Sequence, residues 1–342
     1  YYGDRPVFSD FSDGPPTTSF VDTPYAYMVR REEFDDILLK NAAASGAAVF
    51  QDHSVVDLVR DGERVRGVVV RDDNAATRTV HCDMLFDCSG FGAIVPRKFD
   101  LRRENRLKRM AVFGQYETTP LNEDLKNGWF VGQMVYDGWL WLIPLKENLI
   151  SIGVVIPVTE YHKANQSAQD FLESYIRRVP IAQTAITPNP RLDGKVHLYG
   201  NLGYTTTRAF GEGWVLVGDA AFFIDPCYST GVHLALSSAK HATRLYLDYR
   251  RTGGRFADIF AEYERDLRRD ERLVLRFVDA FYMATRNRVL KWLVPVGNLD
   301  FINRSFVGVT GGDFQKHPVM INSLYWASKA VSTLFPVPAR AI

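Results

Sequence analysis

The chain has 342 residues, 41 basic and 40 acidic side chains and a formal charge of +1. At about 150 residues per domain this length suggests two domains. A composition that is 46% hydrophobic and 24% charged excludes a disordered chain, a collagen-like chain and a long coiled coil. The balanced charge gives no basic excess for a nucleic-acid partner. Aromatic residues, 13% of the chain, supply rings for a large core or for a pocket that takes a flat ligand.

Residues 1–24 read as loop, rich in Gly, Pro, Asp, Ser and Thr. Phe34, Ile37, Leu38 and Ala42 recur at helical spacing from about Arg31, with Gly46 placed to end the helix. His53–Arg60 and Arg64–Arg71 flank Asp61-Gly62 and read as a hairpin, with a third strand at Thr77–His81. Asp83–Cys88 reads as a short buried strand ending in Ser89-Gly90. Ala111–Glu117, Trp129–Val135, Trp139–Leu145 and Leu149–Ile156 alternate between turn residues (Asp137-Gly138, Glu147-Asn148), which predicts an antiparallel sheet. A helix at Ser167–Arg178 gives way to a loop carrying Pro180, Pro188 and Pro190. Trp214–Val217 is an apolar strand entering Gly218-Asp219. A helix runs from Gly231 to about Arg250, broken by Gly253-Gly254, and a long one covers Ala257–Ala284. Phe256, Phe260, Tyr263, Leu267, Val274, Phe277 and Phe281 make up the apolar stripe of that long helix.

No apolar run reaches the roughly 20 residues of a spanning helix, so no membrane partner is expected. Cys82, Cys88 and Cys227 form neither a disulfide framework nor a metal-ligand spacing, which suits a reducing, cytoplasmic compartment. His233 and His241 share a helix face, but no third ligand is evident and no metal is expected.

The segment with the most chemistry is Gly218-Asp219 followed by Asp225-Pro226-Cys227-Tyr228-Ser229-Thr230-Gly231-Val232-His233. Glycine lets a ligand approach the backbone, and an aspartate accepts hydrogen bonds from polyol hydroxyls. Ser229-Thr230-Gly231 stands where a helix begins, with unsatisfied N–H groups and a positive dipole end that suit an anion. By itself, Ser-Thr-Gly there is equally a plain helix cap.

Taken whole, this block resembles the second FAD motif of the flavin-dependent halogenases, members of the FAD-dependent aromatic-hydroxylase superfamily. Gly138-Trp139-Leu140-Trp141-Leu142-Ile143-Pro144 is similar to their Trp-x-Trp-x-Ile-Pro signature. Tyr27–Leu39 resembles the helix start whose arginine, here Arg31, contacts FAD. Leu85–Gly90 resembles a late Rossmann strand, and Gly311-Gly312-Asp313-Phe314 is similar to a stretch in carrier-protein and phenol halogenases.

The resemblance implies an α/β fold: a glutathione-reductase-like FAD-binding Rossmann domain (20–108 and 194–255), an antiparallel substrate sheet (109–193) and a helical C-terminal region (256–342). It implies FAD, used as FADH2 from a separate flavin reductase, held by Arg31, Gly218, Asp219, Pro226, Ser229, Gly231 and Val232. Halide ion would sit on the backbone of Thr230 and Gly231. In the implied chemistry a C4a-hydroperoxyflavin oxidises halide to hypohalous acid, which reaches the substrate through a tunnel walled by Trp139 and Trp141. The alternative for that pair is two core tryptophans. The family's Gly-x-Gly-x-x-Gly loop and reactive lysine have no counterpart here, and the chain opens on Tyr1, which reads as an incomplete N-terminus. Tyr228 stands where tryptophan halogenases carry a glutamate, which points to a phenolic or pyrrolic ring, free or tethered to a carrier protein. The other readings are a flavin-dependent monooxygenase of the same fold and an inactive flavin-binding module.

Overall fold

The computed structural model describes residues 26–117, 125, 128–135, 138–146, 148–185, 191–287 and 318–335. The readings made above for residues 1–24, Asp137, Glu147, Pro188, Pro190 and Gly311–Phe314 lie outside these residues. The architecture is α/β and divides into two compact units. One is built from Asp35–Arg106 and Gly203–Val274, the other chiefly from Leu107–Leu202 and the chain from Leu275 on.

Helix α1 (Arg31–Ala44) forms where the apolar spacing places it, and Gly46 follows at φ +98°. None of its residues is buried. Strands β1 (Ser54–Asp61), β2 (Arg64–Arg71) and β3 (Thr77–His81) form an antiparallel sheet in the order β1-β2-β3. Asp61 pairs with Arg64 across a two-residue turn that begins with Gly62 at φ +59°, a left-handed value glycine reaches at little cost. Next come β4 (Leu85–Asp87), α2 (Ile94–Lys98) and β5 (Arg102–Glu104). The buried Asp87 carboxylate accepts from the N–H and Oγ of Ser89, at 3.0 and 2.5 Å, and from the N–H of Val95 at 2.8 Å. It therefore fixes the chain between β4 and α2 and caps the helix.

The other unit holds β6 (Arg109–Glu117), β7 (Val131–Val135), β8 (Gly138–Lys146) and β9 (Leu149–Pro157), then α3 (Val158–Ala164), α4 (Ala168–Arg178), α5 (Pro180–Ala185) and β10 (Arg191–Tyr199). Its five strands are all antiparallel, in the order β10-β6-β9-β8-β7. Helix α5 forms at Pro180, where a loop is expected, because proline is tolerated in the first turn of a helix; β10 follows Pro190 where no element is expected. Its alternation is interrupted by a register shift between Asp193 and His197. On one face Met110, Val112, Leu140, Leu142, Ile150, Ile152 and Val154 cluster with Phe171, Leu172 and Ile176 of α4. Side chains alternate across a strand, so the odd-numbered residues of β6, β8 and β9 share the opposite face.

The first unit resumes with β11 (Tyr204–Thr206), which pairs with β5, and with β12 (Phe210–Gly211) and β13 (Trp214–Leu216). Strand β13 runs parallel to β4, Leu216 beside Asp87, in a sheet ordered β12-β13-β4. Helix α6 (Gly231–Thr252) stops at Gly253 (φ +72°) and Gly254 (φ +99°). Helix α7 (Phe256–Arg286) follows, and then α8 (Pro318–Leu334). Along α7, Phe260, Tyr263, Leu267, Val274 and Phe277 are buried as their spacing predicts; near its end Tyr282 is buried and Phe281 only half-buried. Each unit closes its own chain break. Asn105 N–H donates to Gly203 O at 3.1 Å in one, and Leu202 N–H to Arg109 O at 2.9 Å in the other. Among the described residues no helix is long and apolar enough to cross a membrane.

Candidate functional site

Parallel pairing of β4 and β13 brings their C-terminal ends together, the edge where α/β sheets carry ligands. Two turns leave that edge, Ser89-Gly90 after β4 and Gly218-Asp219 after β13. The second is pinned along its length. Tyr263 Oη donates to Leu216 O at 2.6 Å, and Gly218 N–H donates to Ser238 Oγ at 3.0 Å. Tyr204 Oη donates to Asp219 O and lies 3.4 Å from Gly90 O, so one hydroxyl touches both turns. Thr206 Oγ1 donates to Ala221 O at 2.7 Å. Arg102 stacks 3.9 Å from the centroid of the Tyr204 ring. Burial, reinforced by Asp219, holds the Tyr204 phenol well above its ordinary range, so it remains a donor.

Tyr204, Thr206 and Ser238 were not singled out from sequence. Strand β11 has three residues, too few for periodicity, and its role depends on the non-local Tyr204–Phe223 bridge. Replacing Thr206 by Val keeps the shape but leaves the Ala221 carbonyl without its donor. This should cost about 1–3 kcal/mol, read as a lower urea midpoint; an unmoved midpoint would mean that the bond contributes nothing.

After the turn, Asp225 Oδ1 accepts from Cys227 N–H at 2.9 Å, and Ser229 takes a left-handed φ of +52°. Thr230, 6% exposed, then precedes α6 without capping it through its side chain. A Cβ placed on Gly231 would meet only the Phe223 ring at 3.9 Å and Asp219 Oδ1 at 4.0 Å. The start of α6 thus combines helix-terminal amides, open space and a half-buried carboxylate. Tyr228 is buried, and burial raises its phenol well above its ordinary value. Of the residues read as a site, Gly218, Asp219, Pro226, Ser229, Thr230, Gly231 and Val232 gather in this one unit. Arg31 opens α1 with an exposed side chain.

In the other unit Trp139 and Trp141 lie side by side on the sheet face opposite the helices, ring centroids 5.5 Å apart. They are 3% and 8% exposed. Both indole N–H groups are satisfied internally: Trp139 donates to Tyr282 Oη at 3.2 Å and Trp141 to Ser151 Oγ at 3.1 Å. Neither indole N–H is therefore open to a ligand. Phe113 packs against Trp141 at 5.6 Å and stacks on His197 at 5.1 Å.

His241, Glu262 and Asp266 are the group of side chains among the described residues that could hold a cation. Arg244 lies 3.9 Å from Glu262, and Arg269 is 3.5 Å from Asp266, so arginines already balance both carboxylates. Burial lowers the His241 pKa, opposed by Asp266 and Glu262 and aided by Arg244. The folded protein thus favours the neutral ring. Stability from this group is complete above the unfolded value of about 6.5 and is lost as pH falls below it. His241→Asn should flatten the stability profile between pH 7 and 5 relative to wild type; parallel profiles would assign the slope to other groups.

A family model described as tryptophan halogenase matches residues 7–292. The tryptophan 2-halogenase of Chondromyces crocatus is 32% identical over 222 residues, 63% of this chain and 42% of the relative. The 1H-pyrrole-2-carbonyl-(peptidyl-carrier protein) chlorinase of Pseudomonas fluorescens is 25% identical, over 77% of this chain and 60% of the relative. Among solved structures, CmlS, a flavin-dependent halogenase, superposes with a TM-score of 0.70 at 30% identity, covering 77% of this chain and 48% of CmlS. The chain spans about half the length of the curated relatives it matches.

Proposed function

The chain belongs to the tryptophan halogenase family of flavin-dependent halogenases, and from that premise we propose that it works in halogenating an electron-rich aromatic ring, phenolic or pyrrolic, free or tethered to a carrier protein. The observation that carries this reading is the start of α6: a helix N-terminus with open space at Gly231 and no cap from the Thr230 side chain, with the Asp219 carboxylate beside it, on a turn pinned by Tyr204 and Thr206.

These residues fit a flavin and a small anion. Asp219 is an acceptor for polyol hydroxyls, and the Gly218, Pro226, Ser229, Gly231 and Val232 backbone flanks the same space; Arg31 is assigned to the cofactor by motif alone. The amides of Thr230 and Gly231 suit a halide, because a helix N-terminus attracts an anion without a full positive charge. FAD, bound in reduced form and supplied by a separate reductase, would contribute the electrons that activate oxygen. Trp139 and Trp141, with no N–H to offer, serve as an apolar wall that admits the oxidised halogen species and excludes water and substrate.

The ring preference rests on Tyr228. Its buried, un-ionised phenol takes the place of a carboxylate, so no catalytic acid stands there. The name of the Chondromyces relative favours tryptophan itself as the competing substrate.

The test combines the protein with FAD, a flavin reductase, NADH, oxygen and bromide or chloride. Phenols, pyrroles, a pyrrolyl carrier protein and tryptophan are offered, and products are read by halogen isotope pattern. A halogenated phenol or pyrrole is expected. Halogenated tryptophan would overturn the ring assignment, hydroxylation without halogen would make the protein a monooxygenase, and flavin binding without product would make it an inactive flavin-binding module. Asp219→Ala should weaken flavin affinity about tenfold or more, the scale of a hydrogen bond to a charged group. Fluorescence titration checks this, and unchanged affinity would remove Asp219 from the site.

A further inference from the structure

We infer that Tyr282 is a positioning residue for the tryptophan pair, holding the Trp139 indole in the orientation on which efficient halogen transfer depends. The inference rests on the proposed function for its consequence, but the contact itself is a matter of geometry. Trp139 Nε1–H donates to Tyr282 Oη at 3.2 Å, across 143 residues of sequence, and each side chain is only 3% exposed. The tyrosine is itself held. The Arg109 guanidinium, 2% exposed, lies 4.0 Å from the centroid of its ring. A desolvated cation over an aromatic face is among the stronger contacts of this type.

The two tryptophans are anchored differently. Trp141 is fixed within its own sheet: its N–H meets Ser151, and its ring covers Gly153 so closely that a Cβ there would lie 2.3 Å from it. Trp139 is fixed from a helix. If the Tyr282 hydroxyl is removed, a buried indole N–H loses its acceptor. The indole then turns to find another, and the apolar wall changes shape at its Trp139 side only. Oxidising equivalents would then escape as peroxide or hypohalous acid instead of reaching the ring.

Tyr282→Phe is the informative change, because it keeps the ring over Arg109 and removes only the acceptor. In ¹⁵N-labelled protein the Trp139 indole N–H resonance, identified by its absence in Trp139→Phe, should shift and exchange faster with water, while that of Trp141 stays in place. In the reductase-coupled assay, halogenated product per NADH should fall about fivefold, the scale of one hydrogen bond, with peroxide rising and flavin affinity unchanged. In a Trp139→Phe background, Tyr282→Phe should change this ratio no further. An unmoved Trp139 resonance overturns the positioning contact, and an equal loss of coupling in the Trp139→Phe background overturns action through Trp139. A wild-type protein that halogenates nothing overturns the proposed function instead, and the resonance then decides the positioning contact by itself.

Discussion

Gly218→Val should cost the protein about 3 kcal/mol or more and lower its urea midpoint accordingly, the sum of left-handed strain and overpacking. Gly218 sits at φ +58°, where a β-branched residue is strained. A Cβ at this position would also stand 3.0 Å from Ala235 Cβ and 3.1 Å from its Cα, so the turn and α6 could not both stay in place. The same residue donates its N–H to Ser238 on that helix, and a displaced turn would break this bond as well. Gly218→Ala separates the terms, because it carries the backbone strain with the smallest side chain and should cost less. A valine variant with wild-type stability would show that the turn does not abut the helix. The expected loss of flavin affinity should follow the loss of stability.

Trp141→Ala should be comparably damaging, about 3–5 kcal/mol by the usual cost of emptying a large aromatic site. The indole fills the space above Gly153 and packs on Trp139 and Phe113, and its loss removes the donor to Ser151. Stability alone would not distinguish a core residue from a wall. The product ratio does. A wall residue should raise hydroxylation or peroxide release relative to halogenation, and Trp141→Phe should recover part of that ratio by restoring a ring. A ratio unchanged in both variants, with stability lost, would make Trp141 a core side chain and nothing more.

The alternation of β6, β8 and β9 was legible because one face of the sheet is apolar and the turns between strands carry Gly, Asp and Asn. Trp139 and Trp141, two residues apart on β8, share one face by that same alternation. Strand β10 was not legible. It starts next to a proline-rich stretch, and the irregularity between Asp193 and His197 breaks the two-residue period that marks a strand. At the candidate site the need for Gly218 is a local one, since its turn takes φ +58° against Ala235, whereas Asp219 and Gly231 are assigned by the motif and by no backbone constraint. The supports of that turn, Tyr204 and Thr206, could not be read, nor could Tyr282 beside Trp139 in the other unit, because each pairs with a residue distant in sequence. On α7 the helical stripe predicted Phe281 as the inward residue, yet the next one, Tyr282, is the more buried. A stripe defined at 3.6 residues per turn cannot resolve neighbours over a 31-residue helix.

The hydrogen bonds that close each unit's break, Asn105 to Gly203 and Leu202 to Arg109, make this place a natural graft point. The chain leaves and re-enters each unit at a point where its two ends are already paired. An intervening sheet can therefore grow or shrink without stretching β5 and β11, since loop closure is already met there, provided that the Trp139 and Arg109 contacts with Tyr282 are kept. A lineage could recast the aromatic face of the sheet while inheriting the turn-and-helix apparatus unchanged. Chimaeras joined at these two positions, with the residues from Leu275 on taken from the same parent as the sheet, should fold as the parents do.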